Sequence, residues 1–69
     1  GQLILHAQTP ISGTIILRDM TGRICWVSIL KEASKHLVLD LPESLINGTY
    51  SLSIPSSQGN IQKKVMIQR

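Results

Sequence analysis

The side chains able to do acid–base, nucleophilic or metal chemistry are few in this chain and are scattered along it. His36 and Asp40 would share one face of a strand, yet they would lie about 13 Å apart at about 3.3 Å per residue. A cysteine nucleophile needs a base beside it, and a metal site needs three or four convergent ligands. We therefore expect no catalytic, cofactor-binding or metal-ligating residues and predict that the protein is not an enzyme. The full set of such side chains is Cys25, His6, His36, Asp19, Glu32, Asp40 and Glu43.

Composition predicts one small domain with an aliphatic core. The chain has 69 residues, with 10 Ile, 9 Leu and 3 Val against one Trp, one Tyr and no Phe. Isoleucine favours the half-buried, pleated surface of a strand, and so short a chain makes one domain at most. Cys25 has no cysteine partner and is expected to be a small buried hydrophobe. No apolar run reaches the roughly 18 residues of a membrane span, and no signal peptide opens the sequence.

The charge is mildly basic, with a formal net charge of +3 and a sequence pI of about 9.5. A nucleic-acid interface usually concentrates basic residues and interleaves them with aromatics. Here they are scattered, and Lys63 and Lys64 are the one adjacent pair. We therefore expect no nucleic-acid partner.

Alternation of apolar and polar residues predicts six strands. Turn formers separate them, among them Pro10 with Gly13, Gly22, the polar run Lys31–Lys35 and the segment Pro55–Asn60. Six short antiparallel strands with frequent turns predict a small immunoglobulin-like β-sandwich. The predicted strands are Gln2–Ala7, Thr14–Asp19, Ile24–Leu30, His36–Leu41, Thr49–Ile54 and Ile61–Gln68.

The same alternation predicts which side chains face the core. Leu45, in the connection before strand five, is expected to tuck beneath the sheet edge. Trp26 is expected on the outer face of strand three, and Ser53 in water. Leu3, Leu5 and Ala7 share one face of strand one, and Leu37, Leu39 and Leu41 alternate with His36, Val38 and Asp40 in strand four. The side chains predicted to point inward are Ile15, Leu17, Tyr50, Leu52, Ile54, Ile61, Val65 and Ile67.

Four sequence blocks, in this order, resemble the C-terminal sorting domain (type A) of cargo of the Bacteroidetes type IX (Por) secretion system. The family's early N-P-x-x-G-x-L-x-I strand is matched from its glycine onward by Gly1, Leu3 and Leu5. Its D-x-x-G-R block is matched by Asp19, Gly22 and Arg23. The L-x-x-G-x-Y-x-L-x-I block is matched by Leu45, Gly48, Tyr50, Leu52 and Ile54. The closing K-x-V-x-K block is matched by Lys64 and Val65, with Lys63 beside them, and Arg69 is offset from the usual last lysine.

The resemblance implies that the domain is a secretion signal and not a catalyst. Residues 1–69 would form one sorting domain, and the unmatched Pro-Asn-Pro element would add a first strand upstream, giving six to seven strands. The domain would accompany its cargo through the periplasm, be recognised by the outer-membrane translocon and its shuttle proteins, and reach the cell surface or the medium. A surface sortase-like enzyme would then remove the domain in many family members. No cofactor is implied.

Two groups of residues follow from the resemblance and from the expected sheet edge. The last strand would offer unpaired N–H and C=O groups for strand addition, and its basic residues would steer it toward an acidic partner. Candidate recognition residues are Lys63, Lys64, Val65, Ile67 and Arg69. The structural motif comprises Asp19, Gly22, Arg23, Gly48 and Tyr50.

Each of these residues also has a plainer interpretation. Asp19 would cap a turn, and Tyr50 would fill the core with its hydroxyl at the rim. Lys63 and Lys64 would guard an edge strand against sheet-to-sheet association. The alternative function is an immunoglobulin-like interaction or structural module of a secreted adhesin or hydrolase. Strand one carries no charged residue, so the isolated chain is also expected to form a homodimer or to swap strands.

Overall fold

The computed structural model describes residues 2–55 and 59–68. Within them the chain folds as one antiparallel sheet in the order β2-β1-β3-β4. The predicted all-β class is confirmed, and no helix in this part of the chain is long and apolar enough to cross a membrane. Gly1, Arg69 and the centre of the predicted turn at 56–58 lie outside the described residues. The strands are β1 (Gln2–Asp19), β2 (Ile24–Asp40), β3 (Gly48–Ile54) and β4 (Ile61–Ile67).

The prediction of six to seven strands is wrong, because two expected turns are bends inside long strands. The segment around Pro10 lies within β1, and the polar run Lys31–Lys35 lies within β2. The two segments face each other, with Ile11 opposite Ser34 and register shifts on either side of that pair. A bulge takes up extra residues without ending the pairing of two strands, and it bends them. Pro10 is tolerated because it has no ladder partner there.

Gly13 meets two requirements of this bend. Its φ is +109°, a backbone conformation that side chains with a Cβ rarely adopt. A Cβ at this position would also come within 3.3 Å of the Pro55 Cγ. The glycine therefore allows both the bend and the close approach of the chain after β3.

The bend lays the first half of β1 across the second hairpin. β1 pairs with β3 only over Ile16–Asp19. Even so, Leu5 and Ile11 line a cavity of about 430 Å³ together with Ile54 and Ile61. The sheet therefore curls over its own core instead of lying flat.

The core is aliphatic, as predicted, apart from Tyr50. Leu17 and Leu52, paired on neighbouring strands, are fully buried at its centre. Leu45 is partly buried against it, as predicted. Ile11 is also a core residue, which was not predicted because it lies in a segment expected to be a turn. The buried apolar residues are Ile11, Ile15, Leu17, Leu37, Leu39, Leu41, Tyr50, Leu52, Ile54 and Ile67.

Three side chains differ from their predicted environment. Trp26 lies opposite Leu17 and packs against the core, so its placement on the outer face is wrong. Ser53 is buried although it was expected in water. Ile61 was predicted in the core but is 43% exposed, because it opens an edge strand at the rim of the cavity.

Candidate functional site

The turn between β1 and β2 is built around the carboxylate of Asp19. Its Oδ1 accepts hydrogen bonds from the Thr21 N–H at 2.9 Å, the Thr21 hydroxyl at 2.6 Å and the Arg23 N–H at 3.0 Å. The Gly22 N–H donates to the Asp19 carbonyl at 3.1 Å, and Gly22 has a φ of +94°. The D-x-x-G-R block is therefore a self-contained turn, in which the aspartate satisfies backbone donors and the glycine supplies the positive φ.

These hydrogen bonds set the electrostatics of the turn. The Thr21 hydroxyl, followed by the Arg23 N–H, stabilises the ionised carboxylate and lowers the pKa of Asp19 from 3.8 to about 2. The Arg23 Nε lies 3.4 Å from Oδ2, but its side chain is 85% exposed, and such surface pairs contribute little stability. The Arg23 guanidinium therefore remains accessible to a partner.

We expect Asp19→Ala to change how stability depends on pH. A depressed carboxyl pKa stabilises the fold above the unfolded-state pKa of about 3.8, and this contribution is lost as pH falls through about 2. The variant should unfold at a lower temperature than the wild type at neutral pH, and the difference should shrink steadily below about pH 4. Thermal unfolding followed by circular dichroism between pH 7 and about pH 2 measures this. A constant difference over that range would contradict the assignment.

Tyr50 joins the start of β3 to the connection that precedes it. Its ring is buried, with 4% exposure, and its hydroxyl donates to the Ile46 carbonyl at 2.7 Å. Gly48, two residues earlier, begins β3 opposite Ile67. The L-x-x-G-x-Y block therefore anchors the entry to the second hairpin through a bond to the residue four positions upstream.

Three of the blocks identified in the sequence lie side by side in the sheet. Asp19 is opposite Tyr50 on β3, and Tyr50 is opposite Val65 on β4. In the next row, Arg18, Ser51 and Lys64 are aligned in the same way. Residues far apart in the sequence thus occupy one end of the sheet, with the Asp19 turn beside them.

The candidate recognition residues on β4 differ in what they expose. β4 is an edge of the sheet, as predicted for the last strand. Lys63 and Lys64 are exposed, whereas Val65 is half-buried and Ile67 is a core residue. Arg69 lies outside the described residues. Of the described members of this set, only the two lysine side chains are open to a partner, and because they are adjacent they point to opposite faces of the strand.

One exposed apolar residue on the outer face of β4 was not among the predicted recognition residues. Met66 is 64% exposed and lies two positions after Lys64, on the same outer face of β4. On that face the Ser51 hydroxyl donates to the Gln62 Oε1 at 2.8 Å. Met66 continues the period-two pattern of the outer face from Lys64, so the alternation that predicts the core face predicts this neighbour as well.

Among the residues with catalytic potential, His6 and His36 lie side by side on β1 and β2. Within residues 2–55 and 59–68, no group of three or more His, Cys, Asp or Glu side chains lies close enough to hold a metal ion. Cys25 is half-buried against the core, and its thiol lies 3.6 Å from the Arg23 carbonyl. Its predicted role as a small packing residue agrees with this position.

Comparison with known proteins identifies no relative. No protein-family model, no curated protein and no solved structure matches the chain. Its function must therefore be inferred from its own residues and their geometry.

Proposed function

We propose that this chain is a sorting domain of the type IX secretion system, a folded signal recognised by the outer-membrane translocon, and that it is not an enzyme. The observation that carries the proposal is the row formed by Asp19, Tyr50 and Val65. Each belongs to a different block of the resemblance, and Asp19 and Val65 are 46 residues apart in the sequence. Their meeting at one end of the sheet supports a single folded signal built from the three blocks.

The finer fold proposed is a reduced immunoglobulin-like sandwich, formed by a curled sheet. The bond from the Tyr50 hydroxyl to the Ile46 carbonyl supports it. In immunoglobulin-like sandwiches, a tyrosine near the start of a strand bonds in the same way to the backbone a few residues upstream. The bends in β1 and β2 support it too, because bulges let one strand take part in two facing layers.

The proposed recognition uses the edge of β4. An edge strand offers backbone N–H and C=O groups to which a partner can add a strand. Lys63 and Lys64 are exposed beside that edge and would draw it toward an acidic surface. The partners would be the outer-membrane translocon and its shuttle proteins, encountered in the periplasm. A sortase-like enzyme would act on the domain after it reaches the cell surface.

The experiment that tests this function is a fusion. Residues 1–69 are joined to the C-terminus of a periplasmic reporter in a host with a working type IX system. We expect the reporter at the cell surface or in the medium, where added protease reaches it. The reporter without the domain is the control and should stay in the periplasm. If the fusion stays in the periplasm as the control does, the proposal is refuted.

A second candidate is an interaction module of a secreted protein, favoured by an exposed apolar row on β2. Ile24, Val27 and Ile29 are exposed by 57%, 46% and 67%. Exposed apolar side chains on neighbouring positions are typical of protein contact surfaces. A module of this kind would leave the reporter in the periplasm, so the fusion also separates the two candidates.

We expect the isolated chain to self-associate through the first half of β1. β1 pairs with β3 only over Ile16–Asp19, so its residues before the bend have a strand partner on one side only within the described part of the chain. Unpaired edges invite another chain to pair. Ile4→Lys, at a 54% exposed position of that half, should shift the association toward monomer, because a charge there protects the edge.

Sedimentation at several concentrations measures this, with Ile29→Lys as the matched control on β2. The control should associate like the wild type. A wild-type chain that stays monomeric at every concentration would contradict the prediction. If both variants suppress self-association equally, the contact does not lie specifically on the first half of β1.

A further inference from the structure

The two histidines, 30 residues apart in the sequence, face each other across the first hairpin. His6 on β1 is the register partner of His36 on β2. Their Nδ1 atoms lie 3.3 Å apart, their ring centroids 4.6 Å apart, and the ring planes are inclined by 66°. Both residues are exposed to solvent. The pair therefore presents two imidazole nitrogens close together at an accessible surface.

The separation of the two nitrogens suits a shared metal ion. Zinc–imidazole bonds are about 2.0–2.1 Å long, so two such bonds at a tetrahedral angle place the nitrogens about 3.4 Å apart. The observed 3.3 Å is close to this value. The same contact fits a hydrogen bond between the two Nδ1 atoms, which a bound ion would replace, with both Nδ1 atoms unprotonated. Imidazole is a preferred ligand of zinc, copper and nickel ions.

The Ser34 hydroxyl fixes the main chain of His36 through two hydrogen bonds. The Ser34 hydroxyl donates to the His36 carbonyl at 2.8 Å and accepts from the His36 N–H at 3.2 Å. His6 is the last residue in regular register before the bend in β1. The two rings are thus attached to paired strands, and bringing them together adds no loop-closure cost upon metal binding.

We propose that His6 and His36 form an open, two-imidazole site for a divalent transition ion such as Zn²⁺. The described residues supply no cluster of three protein ligands, so water would complete the coordination and the ion would exchange readily. An ion bound only by the paired strands would stabilise the folded chain through mass action. The role would be a clamp across the first hairpin, on the side where His6 borders the same cavity as Lys63 of β4.

Titration of the full chain with Zn²⁺ by isothermal calorimetry tests the proposal. We expect one ion per chain, and an affinity about ten-fold or more above that of His6→Gln or His36→Gln, because two linked ligands bind as a chelate. A variant combining His36→Gln with Ile29→His keeps two histidines but places the second opposite Thr14. It should not recover the affinity. Circular dichroism of each variant without metal establishes that the fold is retained.

A second readout separates chelation from a simple hydrogen bond between the rings. With Cu²⁺ as probe, electron paramagnetic resonance should show two coupled nitrogens in the wild type and one in either single variant. If the single variants bind Zn²⁺ as tightly as the wild type, or if the wild type binds none, the site does not exist. One coupled nitrogen in the wild type would equally overturn the proposal.

Discussion

Leu52→Ala is expected to remove a large part of the stability of the fold. Leu52 is fully buried on β3, between Leu17 on β1 and Lys63 on β4. Removing a buried leucine side chain costs about 2–5 kcal/mol, because the cavity collapses only in part. At about 0.05–0.15 kcal/mol per residue, a chain of 69 residues has only about 3–10 kcal/mol of stability. The loss is therefore a large fraction of the stability, and it reaches the whole of it at the lower end of this range.

Urea unfolding measures this result, with Met66→Ala as the matched control. Met66 is also a large apolar residue, but it is 64% exposed, so its truncation should change stability by no more than about 0.5 kcal/mol. Similar urea midpoints for Leu52→Ala and the wild type would show that the centre of the core does not lie at β3.

The double charge reversal Lys63→Glu with Lys64→Glu is expected to reduce export of the reporter fusion by about ten-fold. Both lysines are exposed on the edge strand, and neither side chain forms a salt bridge or hydrogen bond within the described residues. The double substitution should therefore leave the thermal unfolding temperature almost unchanged. The loss would arise from repulsion between the reversed charges and an acidic partner. Fractionation of cells followed by reporter assay measures export.

Lys31→Glu with Lys35→Glu is the matched control for this reversal. These two lysines are also exposed, but they lie on β2 at the opposite edge of the sheet, and their reversal changes the net charge equally. Normal export of the control with reduced export of the β4 variant would locate the contact. Equal effects would indicate a general response to charge. Deletion of residues 65–69 is less informative, because Ile67 is buried and β4 pairs with β3 along its length.

The core faces were predictable because alternation survives wherever a strand is regular. Ile15, Leu17 and Leu52 were assigned correctly from local pattern alone. The turn at Asp19 and Gly22 was also predictable, because aspartate and glycine have specific roles in tight turns. These features depend on residues close together in the sequence.

The bends could not be predicted, since they depend on two distant segments lying opposite each other. The polar residues near Pro10 and those of Lys31–Lys35 each favour a turn when considered alone. Paired through Ile11 and Ser34, they form one bulged stretch of a long hairpin. The facing histidines were missed for the same reason, since their contact depends on the register on both sides of that stretch.

The most direct test of the proposed function compares the reporter fusion in two isogenic hosts, one with the type IX translocon and one without it. A sorting domain predicts a reporter that protease reaches at the surface or in the medium of the first host and that stays in the periplasm of the second. The same periplasmic location in both hosts, with the fusion intact and folded, would contradict the account.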